Sequence, residues 1–184
     1  MNTALYKFVH KLLIKKFSKR LDKLLKVWYN DYSKKQKGSA KLKIINFDMD
    51  GTIADLYGVK NWLSDLTNSN PRPYIVAKPL LNMSALARVL NRLKKSGYMI
   101  NVISWLSKNS TPEYDKAVTS AKRQWLRKHL KSVQFDNIYI VPYGTPKQTI
   151  SNGILFDDES QNRENWNGQA FDVDSILDIL KGLT

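Results

Sequence analysis

The sequence predicts an α/β fold, a parallel sheet covered by helices on both faces. Two observations predict it. From Lys41 onward, short apolar runs alternate with stretches whose apolar residues recur at helical spacing. Three of those runs end in polar side chains: Asp48 with Asp50, Ser104, and Asp157 with Asp158. Open α/β sheets bind ligands outside the carboxyl ends of their strands, and polar strand ends suit that use.

The chain opens on a basic arm. Residues 1–37 hold eleven Lys or Arg against two Asp, so +9 of the formal +14 sits there and the rest of the chain holds about +5. Leu5, Phe8, Val9, Leu12, Leu13, Phe17, Leu21, Leu24, Leu25 and Trp28 fall at helical spacing, one apolar stripe among lysines. Lysines break the run too often for a secretory signal, and no stretch approaches the roughly 20 uncharged residues of a membrane span. Three uses of the arm stay open: lying on an anionic membrane surface, gripping nucleic acid or an acidic protein, or packing its stripe on the body or a partner helix. Residues 32–40, with Gly38 and Ser39, read as a linker, which makes 1–40 an appendage and 41–184 the body.

In the body, Leu42–Asp48 reads as the first strand, with Leu42, Ile44, Ile45 and Phe47 apolar. A polar, proline-broken stretch follows, including Asn68-Ser69-Asn70-Pro71-Arg72-Pro73. Met83–Lys95 reads as a helix with Leu86, Val89, Leu90 and Leu93 on one face, closed by Gly97. Tyr98–Ile103 is a second strand ending in Ser104. Thr111-Pro112-Glu113 opens a helix running to about Lys131, with proline at an early helical position. Ile138–Val141 and Ile154–Phe156 are the third and fourth strands, and Ser175–Leu180 is a closing helix.

Composition narrows the chemistry. A hydrophobic fraction of 42% supports a core. The absence of cysteine excludes a disulfide framework, a thiol nucleophile and Cys-ligated zinc, and fits a reducing, cytoplasmic setting. His10 and His129, the only histidines, are too far apart for a histidine metal site and read as exposed. There is no GxSxG, GxxxxGK or GxGxxG motif.

Neighbouring strands would gather Asp48, Asp50, Asp157 and Asp158. Two unit charges about 4 Å apart cost on the order of 4 kcal/mol at an effective dielectric of 20. Such a cluster needs a cation or protonation of some members. Oxygen-only ligands point to a hard ion, and Mg²⁺ is the usual one where phosphate is handled.

The ordered set "DMDGT", "VIS", a later lysine and "ILFDD" resembles the haloacid dehalogenase superfamily of phosphohydrolases, over roughly residues 41–174. The spacing of Lys147 before Asp157, and the modest insert after the first motif, resemble the 5′(3′)-deoxyribonucleotidases and small nucleotidase-like proteins of bacteria and phages. The resemblance implies a Rossmann-like core with a small cap at 56–81. It implies Asp48 as nucleophile and metal ligand. Asp50 would be the acid and then the base, with its backbone carbonyl on the metal. Gly51 and Thr52 would turn the chain against the phosphate. Ser104, with a backbone N–H beside it at Trp105, would bind a phosphoryl oxygen. Lys147 would neutralise charge, Asp157 would ligate Mg²⁺ directly, and Asp158 would do so directly or through water. Lys122 is a rival to Lys147, but its mid-helix place beside Arg123 and Arg127 counts against it.

The expected substrate is a small phosphomonoester, foremost a (deoxy)nucleoside monophosphate. Tyr57, Trp62 and Tyr74 are candidates to stack on a base, Arg72 to meet a phosphate or sugar, and Trp105 to form part of the pocket wall. Trp62 and Leu63 could equally form a core within the cap. A phosphatase on polynucleotide ends or phosphoprotein, or a non-catalytic scaffold for the arm, are the alternatives.

Overall fold

The structure, a computed structural model, describes residues 43–184. The basic arm, its linker and the start of the predicted first strand lie outside the described residues. The first strand, β1 (Ile44–Phe47), is buried at every position. Phe47 is followed by Asp48 and a tight turn, which leads to a two-residue strand, β2 (Ala54–Asp55). Residues 56–81, the predicted cap insert, hold two short helices, α1 (Trp62–Thr67) and α2 (Arg72–Val76), and β3 (Lys78–Pro79), which pairs antiparallel with β2. The prolines that hide α2 in the sequence start it instead, Pro71 at its N-cap and Pro73 in its first turn.

Helix α3 (Met83–Lys95) is capped by the Asn82 side chain, which accepts from the Ala85 N–H. It buries the predicted stripe of Leu86, Val89, Leu90 and Leu93. Next come β4 (Met99–Trp105) and α4 (Pro112–His129), the latter capped by Thr111, which accepts from the Tyr114 N–H. Then follow β5 (Asn137–Val141), β6 (Ile154–Phe156), α5 (Ser160–Glu164), β7 (Gln169–Phe171) and α6 (Ile176–Gly182). The sheet order is β5-β4-β1-β6-β7, and every pairing in it is parallel. The chain builds to one side of β1 and then crosses to the other, so the strand order reverses at β1. That reversal opens a crevice at its carboxyl end.

Ile45, Phe47, Ile100, Val102 and Phe156 pack with α3, with Trp125 and Leu126 of α4 and with Ile176 and Leu180 of α6, forming the main core. On the opposite side, Ile103 and Leu155 meet Trp166, which follows α5. Three amides cross the sheet there. Asn137 Nδ2 donates to Asn101 Oδ1 at 3.0 Å, and Asn101 Nδ2 to Asn46 Oδ1 at 3.1 Å. Asn46 Nδ2 ends the row on the Asn152 and Ile154 carbonyls at 2.7 and 3.1 Å.

The cap rests on α4. Trp125 Nε1 donates to the Ala77 carbonyl at 2.7 Å, and Tyr114 Oη to that of Asn70 at 3.3 Å. Helix α1 buries none of its residues and Leu63 is 61% exposed, so Trp62 and Leu63 do not form a cap core. His129 is not a free surface histidine. It is half-buried with its ring centroid 4.5 Å from that of Trp125, and burial lowers its pKa. Among the described residues no helix is long and apolar enough to cross a membrane.

Candidate active site

The parallel register places the acids. Phe47 is level with Phe156, and the ladder continues with the Asp48 N–H donating to the Phe156 carbonyl at 2.8 Å. Asp48 and Asp157 therefore leave adjacent strands side by side. The chain then turns at Gly51, whose φ of 78° is left-handed. A Cβ there would collide with the Asp158 carboxyl and the Tyr57 ring, so glycine is needed for both reasons.

One oxygen from each of Asp48, Asp157 and Asp158 lies within 4.8 Å of the others. Lys147, 2% exposed, enters this group from the turn after β5, 2.9 Å from Asp48 Oδ1 and 2.6 Å from Asp157 Oδ2. Burial alone would lower the Lys147 pKa, but Asp48 and Asp157 outweigh it and raise it. Asp157 is shifted upward by burial and by the Asp48 charge, against Lys147. Asn162 Nδ2 and the Glu159 N–H donate to Asp157 Oδ1 at 3.1 and 3.0 Å, fixing the carboxylate. The Asp158 carboxyl is pushed up to about 7 by burial and by Asp48. Two of the three acids meet Lys147, and burial with the Asp48 charge raises the pKa of both Asp157 and Asp158. An all-oxygen donor set carrying surplus negative charge fits a hard divalent cation such as Mg²⁺.

Asp50 goes elsewhere. Its carboxylate is absent from the three-acid group and meets Lys122, with Oδ2 2.5 Å from Nζ. Burial raises its pKa despite that lysine. Lys122, set aside on sequence for its mid-helix position, is 0% exposed. The missed signal is periodicity. Val118 stands four residues before it and Trp125 three after, both buried, so Lys122 falls on the apolar face of α4.

A cavity of about 340 Å³ opens over these groups, and Asp48, Asp50 and Lys147 line it. Of the residues proposed for substrate, Tyr57, Trp62, Tyr74 and Trp105 also line it, with Tyr143 from the turn after β5. Tyr57 and Trp62 pack edge to face at 5.0 Å, and Trp105 and Tyr143 are tilted at 5.1 Å. Arg72 is not among the lining residues. It pairs with Asp65 and donates to the Lys60 carbonyl at 2.6 Å, which ties the two cap helices together. Thr52 is buried beneath the site. Its hydroxyl donates to Asp158 Oδ1 at 3.0 Å and accepts from the Asp158 N–H at 3.1 Å, so it holds a carboxylate rather than facing the cavity. Ser104 is also buried, and its hydroxyl accepts from Lys122 at 2.7 Å. Glu159 lines the cavity and was not singled out on sequence.

No known protein family matches the sequence, and no curated protein does. Among solved structures, the chain is similar to D,D-heptose 1,7-bisphosphate phosphatase from Burkholderia thailandensis. That match has 16% identity and a TM-score of 0.42, over 66% of this chain and 70% of that one. It is also similar to the B. bronchiseptica enzyme of the same name, complexed with magnesium and phosphate, at 12% identity and a TM-score of 0.43, over 67% and 74%. A chain of the Pnkp1/Rnl/Hen1 complex matches at 20% identity and a TM-score of 0.46, over 73% of this chain and 46% of that one.

Proposed function

We propose that the chain is a Mg²⁺-dependent phosphomonoester hydrolase of the haloacid dehalogenase type, acting through an aspartyl-phosphate. One observation carries the reading: Asp48 and Asp50, two residues apart, line one cavity while each is held by a different lysine. Asp48 Oδ attacks phosphorus as the bond to the leaving oxygen breaks, and Asp50 delivers its proton to that oxygen. Water then attacks phosphorus and gives a proton to Asp50, releasing inorganic phosphate and restoring Asp48. The raised pKa of Asp50 suits the first of these roles. Lys147, 2.9 Å from Asp48 Oδ1, orients the Asp48 carboxylate. Asp48, Asp157 and Asp158 would hold Mg²⁺, which offsets phosphoryl charge when bound.

The substrate class we infer is the nucleoside monophosphate. Tyr57, Trp62, Trp105 and Tyr143 line the cavity, and a planar base has the shape and polarisability to stack on such rings. The test is phosphate release from nucleotides, sugar phosphates and end-phosphorylated oligonucleotides, with and without Mg²⁺, using Asp48→Asn as the blank. Metal-dependent release from at least one mononucleotide, and none from the variant, is expected. Equal release by Asp48→Asn would remove Asp48 as nucleophile. Oligonucleotide ends as the only substrates would remove the mononucleotide class.

A further inference from the structure

Lys122 is an ammonium inside the fold, and its three N–H groups are all used. Nζ lies 2.5 Å from Asp50 Oδ2, 2.7 Å from Ser104 Oγ and 2.6 Å from the Trp105 carbonyl. The Tyr74 ring covers its remaining side, with the centroid 4.9 Å away. Taking a lysine out of water costs several kcal/mol even after relaxation, and an apolar residue on this face of α4 would avoid that penalty. The charge is therefore held for what it faces. The two buried lysines divide the acids between them, Lys147 with Asp48 and Asp157, Lys122 with Asp50.

We propose that Lys122 is the positioning residue for the acid–base group: it turns the Asp50 carboxylate toward the cavity and keeps it out of the Asp48–Asp157–Asp158 cation group. This rests in part on the phosphatase reading above. A carboxylate drawn onto a divalent ion is lost as a proton carrier, so Lys122 keeps the two tasks of the site on separate acids. Ser104, bonded to the same ammonium, and Tyr74, lying over it, tie the second strand end and the cap to that alignment.

The test uses Lys122→Met, with Lys122→Gln as a second variant that keeps a donor without charge if the first does not fold. For Lys122→Met, kcat is expected to fall on the order of 10²-fold with KM within about threefold, as for loss of general acid–base catalysis. Combined with Asp50→Asn, it should lose less than about threefold beyond Asp50→Asn alone, because both changes disable one function. Calorimetric titration with Mn²⁺ reads the second half of the proposal without any turnover. Losing one positive charge and freeing one negative one should tighten binding about fivefold. A kcat within about threefold of the parent, or losses that multiply in the double variant, would overturn the assignment. If the parent hydrolyses no phosphomonoester, the phosphatase reading fails by itself. The Mn²⁺ titration then decides for Lys122: tighter binding supports it and unchanged affinity overturns it.

Discussion

Replacing Asp158 with asparagine should make the metal-free protein more stable, and only at high pH. In the fold the Asp158 carboxyl is pushed up to about 7 by burial and the Asp48 charge. In the unfolded chain an aspartate titrates near ~3.9. Between those values the folded protein binds the extra proton, so its stability falls as pH rises. The gap of about three pH units corresponds to roughly 4 kcal/mol at about 1.36 kcal/mol each. The side chain is partly exposed, and screening reduces this to about 2 kcal/mol. The asparagine amide would keep an oxygen to accept from Thr52 and would shed the charge. In urea unfolding with a chelator present, Asp158→Asn should gain about 2 kcal/mol over the parent at pH 8 and nothing at pH 4. Millimolar Mg²⁺ should reverse the order at pH 8 by stabilising the parent, whose three acids are then matched by a cation. A variant less stable than the parent at pH 8 without metal, or an offset of the same size at pH 4, would refute the electrostatic account.

Further outcomes are expected elsewhere. Asp136 is held below the usual carboxylate range because hydrogen bonds from Lys94 and the Ile100 N–H outweigh the opposing effect of burial. Asp136→Asn should therefore cost about 1 kcal/mol at neutral pH in thermal melts, a difference that disappears as pH falls through the folded pKa, below ~3.9. Gly51→Ala should destabilise by at least about 2 kcal/mol in urea, from the left-handed φ and the collision with Asp158 and Tyr57, and should weaken Mg²⁺ binding in the same preparation. Trp62→Ala should raise KM for a nucleoside monophosphate about tenfold in steady-state assays, since one stacked base is worth about 1–3 kcal/mol, and leave KM for a small alkyl phosphate nearly unchanged.

The carboxyl edge of the sheet was readable because its strands are apolar runs that stop at acids. Helices α3 and α4 were readable from their caps and stripes. Strand β7 was not, because Gln169-Ala170-Phe171 holds a single large apolar residue and pairs only with β6. The cap helices were hidden by prolines that begin a helix as readily as they end one. Of the site, Asp48, Asp50, Asp157 and Asp158 could be named from their places at predicted strand ends, and Lys147 only from the family resemblance. The Lys122 contact could not, since it depends on which strand end α4 passes over, and that is a property of packing between distant segments. Arg72 failed for the opposite reason: a charged residue in the cap found its partner, Asp65, within the cap itself.

The amide row of Asn46, Asn101 and Asn137 carries a consequence for how this chain can change. Asn137 donates to Asn101 and Asn101 to Asn46, so an apolar replacement of Asn101 would take these partners from the buried Asn46 oxygen and the half-buried Asn137 N–H. Drift at the middle position alone is opposed by both neighbours. Asn101 can change only together with its neighbours, and Asn46 only where another donor serves the Asn152 and Ile154 carbonyls.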